Sequence, residues 1–264
     1  MLKMVLPLLC ALPCLALAAS DIAGNPITPL QFCYEDKALP PYYLGNNASI
    51  PKSRPGASIE HLRRLSAAIP NLQLQLTRLP WKRCLAALEA GQVDAVIASF
   101  HPERLALGQY PMQDQQPDPE RGFGAHQTCL VSRKDARWHW DGMRFYGVDE
   151  LIVARPLGYA PLKSPGQQKM TMHYTLSGTM DLALLAKGRI HAVTTLCQIA
   201  GQTTNSAAIE AQGLKVLRPP LYSNTGYLVF SKQFYQRQPQ VAAALWQQLA
   251  IDKGTDIYLR YLAE

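Results

Sequence analysis

Arg104 carries a group suited to holding an anion, though a lone arginine on a loop is as readily a solvated surface residue. It follows closely on an apolar run, Val93–Ala98, with Ser99, Phe100 and His101 in between. A guanidinium offers a planar fork of donors that matches the two oxygens of a carboxylate. Loops at the carboxyl ends of strands are also where ligands collect in open α/β sheets. Ser99 adds a hydroxyl and backbone groups at the same strand end. Catalytic chemistry is much harder to find. The chain has six histidines, yet none falls in a nucleophile elbow, a zinc motif or a His-Asp-Ser arrangement. Its cysteines form no CxxC spacing and there is no HxxxH, so no metal or cofactor site is read.

The composition is ordinary for a globular protein, 48% apolar and 17% charged. At 264 residues the chain can form one large domain or two modest ones. Lys and Arg outnumber Asp and Glu by 26 to 19, for a formal charge of +7. The positive charges are scattered, however, and the densest knots, Arg63-Arg64 and Lys82-Arg83, hold only two each. Without a basic stripe or a recognisable module, nucleic acid is excluded as the expected partner.

The amino-terminal residues read as an export signal. Lys3 gives a short positive region, Val5–Leu17 an apolar core, and Ala16-Leu17-Ala18 a small-x-small cleavage site. Residues 1–19 are therefore expected to be removed, leaving an exported, periplasmic chain. Cys14 follows Ala11-Leu12-Pro13, a poor lipobox, so simple cleavage is favoured over a lipid anchor. Cys33, Cys84, Cys129 and Cys197 remain, an even number in an oxidising compartment. Two disulfides are expected, with three possible pairings.

The elements that must position Arg104 alternate between strands and helices. Predicted strands cover residues 30–34, 72–76 and 93–98, with helices beginning near Ser58, as a cap, and at Trp81. A Pro- and Gly-rich stretch, residues 109–124, reads as a linker or surface loop. A second α/β series follows, with strands at 128–133, 151–154, 190–194, 215–217 and 226–230, a helix at 179–187 and two carboxy-terminal helices. Leu85–Val96 is echoed by Leu182–Val193: each reads as a helix, a Gly stop and a buried strand. Two similar lobes are expected.

Several residues, in their order and spacing, resemble the periplasmic solute-binding proteins of family 3. They are Pro40-Pro41-Tyr42, Trp81-Lys-Arg-Cys84-Leu, Gly91-Gln-Val-Asp94-Ala, Glu103-Arg104 ahead of Tyr110-Pro111, and Tyr227-Leu-Val-Phe-Ser-Lys232. The likeness covers nearly the whole chain after the signal. It implies a two-lobed type II α/β fold with a ligand cleft between lobes joined by two crossover strands. The crossings would fall near residues 123–128 and 222–230. The first lobe would comprise residues 20–125 and 230–264, and the second residues 126–229. The implied function is capture of an amino acid or related carboxylate by a monomer that serves an ABC permease. The rival use of the same lobes is an extracytoplasmic sensor docking a membrane signalling protein.

The resemblance also assigns roles to individual residues. Arg104 would hold the ligand's carboxylate, with Ser99 and Phe100 beside it. Tyr42, Tyr43 and Trp81 would supply aromatic walls, which give large contact area and can face a cation. In the second lobe, Gly158 and Tyr159 lie in a loop expected to offer backbone N–H groups. Thr195 stands where amino-acid receptors carry an acid for the ligand's ammonium. Either Glu35, Asp36 or Asp181 replaces that acid, or the ligand is not a standard α-amino acid. Within this frame Cys33 pairs with Cys84, on a strand and the helix beside it, and Cys129 with Cys197, each bridge inside one lobe.

Overall fold

The computed structural model describes residues 26–263, so the expected signal peptide lies outside the described residues. The first half contains β1 (Thr28–Glu35), α1 (Ala57–Ala67), β2 (Leu72–Leu79), α2 (Trp81–Glu89) and β3 (Ala95–Ser99). A 3-10 turn, Pro102–Ala106, follows, then a small hairpin of β4 (Met112–Gln113) and β5 (Gln116–Pro117) and a second turn, Pro119–Arg121. The chain crosses on β6 (Ala125–Arg133). It continues through the hairpin β7 (His139–Trp140) and β8 (Phe145–Tyr146), then β9 (Glu150–Pro156), β10 (Lys169–Thr175) and α3 (Gly178–Ala186). Next come β11 (Ala192–Ile199), β12 (Gln202–Thr203) and α4 (Ala207–Glu210). The chain returns on β13 (Leu214–Phe230) and ends with α5 (Lys232–Arg237), α6 (Pro239–Ile251) and α7 (Thr255–Ala263).

The strands lie in the order β10-β9-β11-β6-β13-β3-β1-β2, with β12 beside β11. β1 pairs parallel with β2 and β3, and β9 parallel with β10 and β11. Between these blocks run the antiparallel crossing strands. β13 pairs with β6 over its first part and with β3 from Gly226 to Phe230, so one strand belongs to both lobes.

Burial explains why the segments adopt these places. β1 is covered on both faces, with Leu30, Phe32, Cys33 and Tyr34 inaccessible, as parallel central strands require. β2 lies at the edge and alternates half-buried Leu72, Leu74 and Leu76 with exposed Gln73, Gln75 and Thr77. One face of the first-lobe sheet packs Phe32, Leu62, Leu65, Phe230, Leu245 and Trp246 together, which seats α1 and α6. The other packs Leu88, Val96, Tyr110 and Val229, which seats α2. In the second lobe Leu130, Leu151, Val153 and Trp140 form one cluster, and Val131, Ala154, Leu185 and Val193 the other.

The echoed segments occupy equivalent positions. α2 stops at Gly91 (φ 69°) before β3, and α3 stops at Gly188 (φ 67°) before β11. This left-handed backbone is open to glycine at little cost. Both expected disulfides are present: Cys33–Cys84 ties β1 to α2, Cys129–Cys197 ties β6 to β11, and each spans 5.6 Å between Cα atoms. Cys197 sits at an irregularity of β11, where the register against β6 shifts between Leu196 and Gln198.

Three expectations need correction. Ser58 does not cap α1; Gly56 occupies that position, and the Ser58 hydroxyl bonds Tyr258 Oη at 3.1 Å. Residues 215–217 and 226–230 are not separate strands but parts of the continuous β13. Residues 109–124 are not a free linker, because Tyr110 and Phe123 are buried and Gln109 bridges to Phe230.

Candidate ligand-binding site

A cavity of about 570 Å³ opens where the carboxyl ends of β1 and β3 face the crossing strands and the second lobe. Its size lies within the range of small-molecule sites. Tyr42, Tyr43, Trp81, Ser99, Phe100, Arg104, Tyr159 and Thr195 all line it. Gly158 does not line it but closes it from the second lobe, as described below. The residues named from the sequence are therefore brought to one place.

Arg104 reaches the cleft because the turn after β3 doubles back. Its backbone N–H donates to His101 O at 2.8 Å, and its Nη1 donates to Ser99 O at 3.0 Å. Tyr110 Oη donates to the same carbonyl at 3.2 Å and braces it. Nη2 crosses the cleft to Gly158 O at 3.0 Å, and Trp81 Nε1 donates to that carbonyl at 3.1 Å. The guanidinium also stands 5.9 Å from the centre of the Trp81 ring. Burial pulls the Arg104 pKa below its ordinary value, with Arg155 adding a smaller push the same way; an arginine nonetheless stays charged.

Gly158 turns its carbonyl toward the first lobe, where it accepts from Arg104 and Trp81. Its φ is +87°, and a Cβ there would stand 3.0 Å from Trp81 Cδ1, so backbone conformation and close approach both select glycine.

A second cross-cleft contact joins Tyr159 Oη to Glu35 Oε2 at 2.9 Å. Glu35 is only 6% exposed. Burial, opposed by the Tyr159 hydrogen bond, pushes its carboxyl up to about 7. Its own burial, and after that the charge and hydrogen bond of Glu35, raise the Tyr159 hydroxyl well above the usual phenol range. Of the three acids offered as replacements for a carboxylate at Thr195, only Glu35 lines the cavity. Asp181 is buried against Thr175 at the start of α3.

The aromatic residues divide between wall and core. Tyr42 meets His126 and Tyr258 edge-on, each at 5.9 Å. Tyr43 is buried against Tyr34 at 5.2 Å while still touching the cavity. Phe100 packs edge-on to Tyr110 at 5.4 Å.

Sequence reasoning missed Arg155 and His126. Arg155 is the last residue but one of β9, is 8% exposed, and lines the cavity. Its Nη1 donates to Ala160 O and its Nη2 to Tyr222 Oη at 3.2 Å, while its Nε is buried without an acceptor. The available signal was a charge terminating the otherwise apolar strand Leu151–Ala154. His126, on β6, is pushed down to about 4 by burial and is neutral near pH 7. Among the described residues, no group of three or more His, Cys, Asp or Glu side chains is placed to hold a metal ion.

No family model and no curated protein matches the chain. Solved structures do. A mutant of ArgBP from T. maritima aligns at TM-score 0.63 and 13% identity, covering 89% of this chain and 96% of that one. The substrate binding protein of an amino acid ABC transporter aligns at 0.59 and 14%, covering 89% and 97%. An ancestral amino acid-binding protein described as a precursor of cyclohexadienyl dehydratase aligns at 0.58 and 16%, covering 89% and 95%. At such identities the likeness is one of fold. The protein thus has the two-lobed type II periplasmic binding protein fold, with its cavity between the lobes.

Proposed function

We propose that the protein is a periplasmic solute-binding protein that captures a small carboxylate-bearing ligand between its lobes and presents it to an ABC importer. The carrying observation is Arg104: a charged guanidinium on the cleft wall, flanked by aromatic rings, with no carboxylate partner among the described residues. In this structure its Nη2 rests on Gly158 O, and a ligand carboxylate would exchange for that neutral acceptor in a charge-assisted bond. The fold's neighbours, named as amino-acid-binding proteins and as the substrate binding protein of a transporter, support this role.

In this reading residues 126–229 form one lobe, and the segments before and after them form the other. Closure is a hinge motion at β6 and β13. Export and two intralobe disulfides suit the periplasm. Binding without turnover is the expected chemistry: the one carboxyl that lines the cleft among the described residues, Glu35, is engaged by Tyr159.

The test is isothermal titration calorimetry of purified protein against amino acids and organic acids, repeated with Arg104→Ala. Wild type binds at least one of these acids. The variant loses about 1.5–3 kcal/mol of affinity, roughly tenfold to a hundredfold, the usual worth of a hydrogen bond to a charged group. Unchanged affinity in the variant would remove Arg104 from the site.

A further inference from the structure

We infer that the ligand is a small organic anion with two acidic groups and no ammonium, its second acid held by Arg155. This rests on the solute-binding reading above. The first reason is the charge inventory of the cavity. Arg104, Arg155 and, at the rim, exposed Lys163 supply positive charge. Among the described residues Glu35 is the sole acid on the wall, and it already accepts from Tyr159. His126 is neutral. His101, also on the wall, stands 3.8 Å from Glu103, an exposed side chain outside the cavity.

The second reason is the state of Arg155 itself. It is more than nine-tenths buried, yet its hydrogen bonds go to neutral oxygens, Ala160 O and Tyr222 Oη, and its Nε has no acceptor. Among the described residues no carboxylate lies within ion-pair distance of it or of Arg104. Buried Asp181 acts on Arg155 only from beyond ion-pair distance; a buried charge without a contacting counter-charge is costly, and an anionic ligand entering the cleft would offset that cost.

Aromatic stacking points the same way. The Trp81 ring faces the Arg104 guanidinium, and the Tyr159 ring faces that of Arg155 at 5.4 Å. The protein's own cations thus take up ring faces that would otherwise stabilise a ligand ammonium. Thr195, on the wall where an acid was expected, offers an ammonium a neutral hydroxyl and no counter-charge. A standard amino acid would bring its positive group to a wall that repels it, whereas a second acid would meet Arg155.

Calorimetry with defined probes tests this. Succinate and phosphonoacetate represent the dicarboxylate and phosphonate forms of such a dianion. Butyrate is the one-acid control, and L-glutamine and L-arginine carry the ammonium. At least one dianion is expected to bind about tenfold or more tighter than butyrate, and tighter than either amino acid, as befits an added charge-assisted pair. Arg155→Gln should bring the dianion-to-butyrate ratio to within about threefold of unity, while Arg155→Lys keeps most of it. Near-ultraviolet circular dichroism confirms that each variant retains the fold. If an amino acid binds at least as tightly as both dianions, or Arg155→Gln leaves the ratio unchanged, the inference is overturned while the solute-binding reading stands. If none of the five probes binds, both fall.

Discussion

Replacing Glu35 by glutamine should make the protein less sensitive to alkali. The wild-type carboxyl is pushed from 4.5 to about 7, chiefly by burial at the end of β1, with nearby Asp36 adding to the rise. Tyr159, Arg78 and Lys37 oppose it without cancelling it. Between these two values the folded protein holds a proton that the unfolded chain has released. Stability conferred by that proton is complete below about pH 4.5 and is lost as the pH rises toward 7. The displacement corresponds to about 3 kcal/mol. Opening of the cleft would rehydrate Glu35, so this figure is an upper bound. Glutamine stays neutral and can still accept from Tyr159, so Glu35→Gln avoids the loss. Thermal melts of ligand-free wild type and variant at pH 5 and pH 8 isolate the effect, because other titrating groups are common to both. The variant's melting temperature should gain on that of wild type by up to roughly 6–12 °C across the interval, at about 2–4 °C per kcal/mol. A gap that stays constant to within about 2 °C would show that Glu35 is already ionised in the folded protein, and the reasoning from its burial would fail.

Further outcomes follow from contacts already described. Reducing either disulfide by paired Cys→Ala substitution should cost about 4 kcal/mol on the chain-entropy account, since the loops closed span 51 and 68 residues. The two losses should add, because the bridges lie in different lobes, and denaturant melts would reveal any coupling. Trp81→Phe keeps the ring but removes the donor to Gly158 O, and should weaken closure by about 1 kcal/mol. Its expected signature is faster ligand release with little change in association rate, read by stopped-flow fluorescence.

The parts legible in the sequence were those set by local chemistry. The α2–Gly91–β3 and α3–Gly188–β11 units showed because apolar period, stop and strand follow one another directly. The cysteine pairing held because each pair sits on neighbouring elements. β10 escaped notice, since Lys169, Thr171 and His173 are exposed on an edge strand whose pattern is mostly polar. β13 looked like two pieces because Pro219 and Pro220 interrupt it. The chain passes them where pairing with β6 lapses between Leu217 and Tyr222, so the missing ladder donors do no harm. Within the cleft, Arg104 was visible from its place after a strand. Arg155 was not, since its Tyr222 partner is 67 residues away. The outward-turned carbonyl of Gly158 depends on a positive φ that residue type permits but does not impose.

That carbonyl bears on how such a protein can change over generations. Two first-lobe side chains, Trp81 and Arg104, grip one main-chain oxygen of the second lobe. Every residue type carries that oxygen, so no single substitution can delete the acceptor. Drift in how firmly the cleft shuts must therefore be written at positions 81 and 104, or in the backbone conformation that glycine allows at 158. Arg104 is also the proposed ligand anchor. Selection for a new ligand and selection for a new closing strength would then act on the same codon, and neither could be adjusted without disturbing the other.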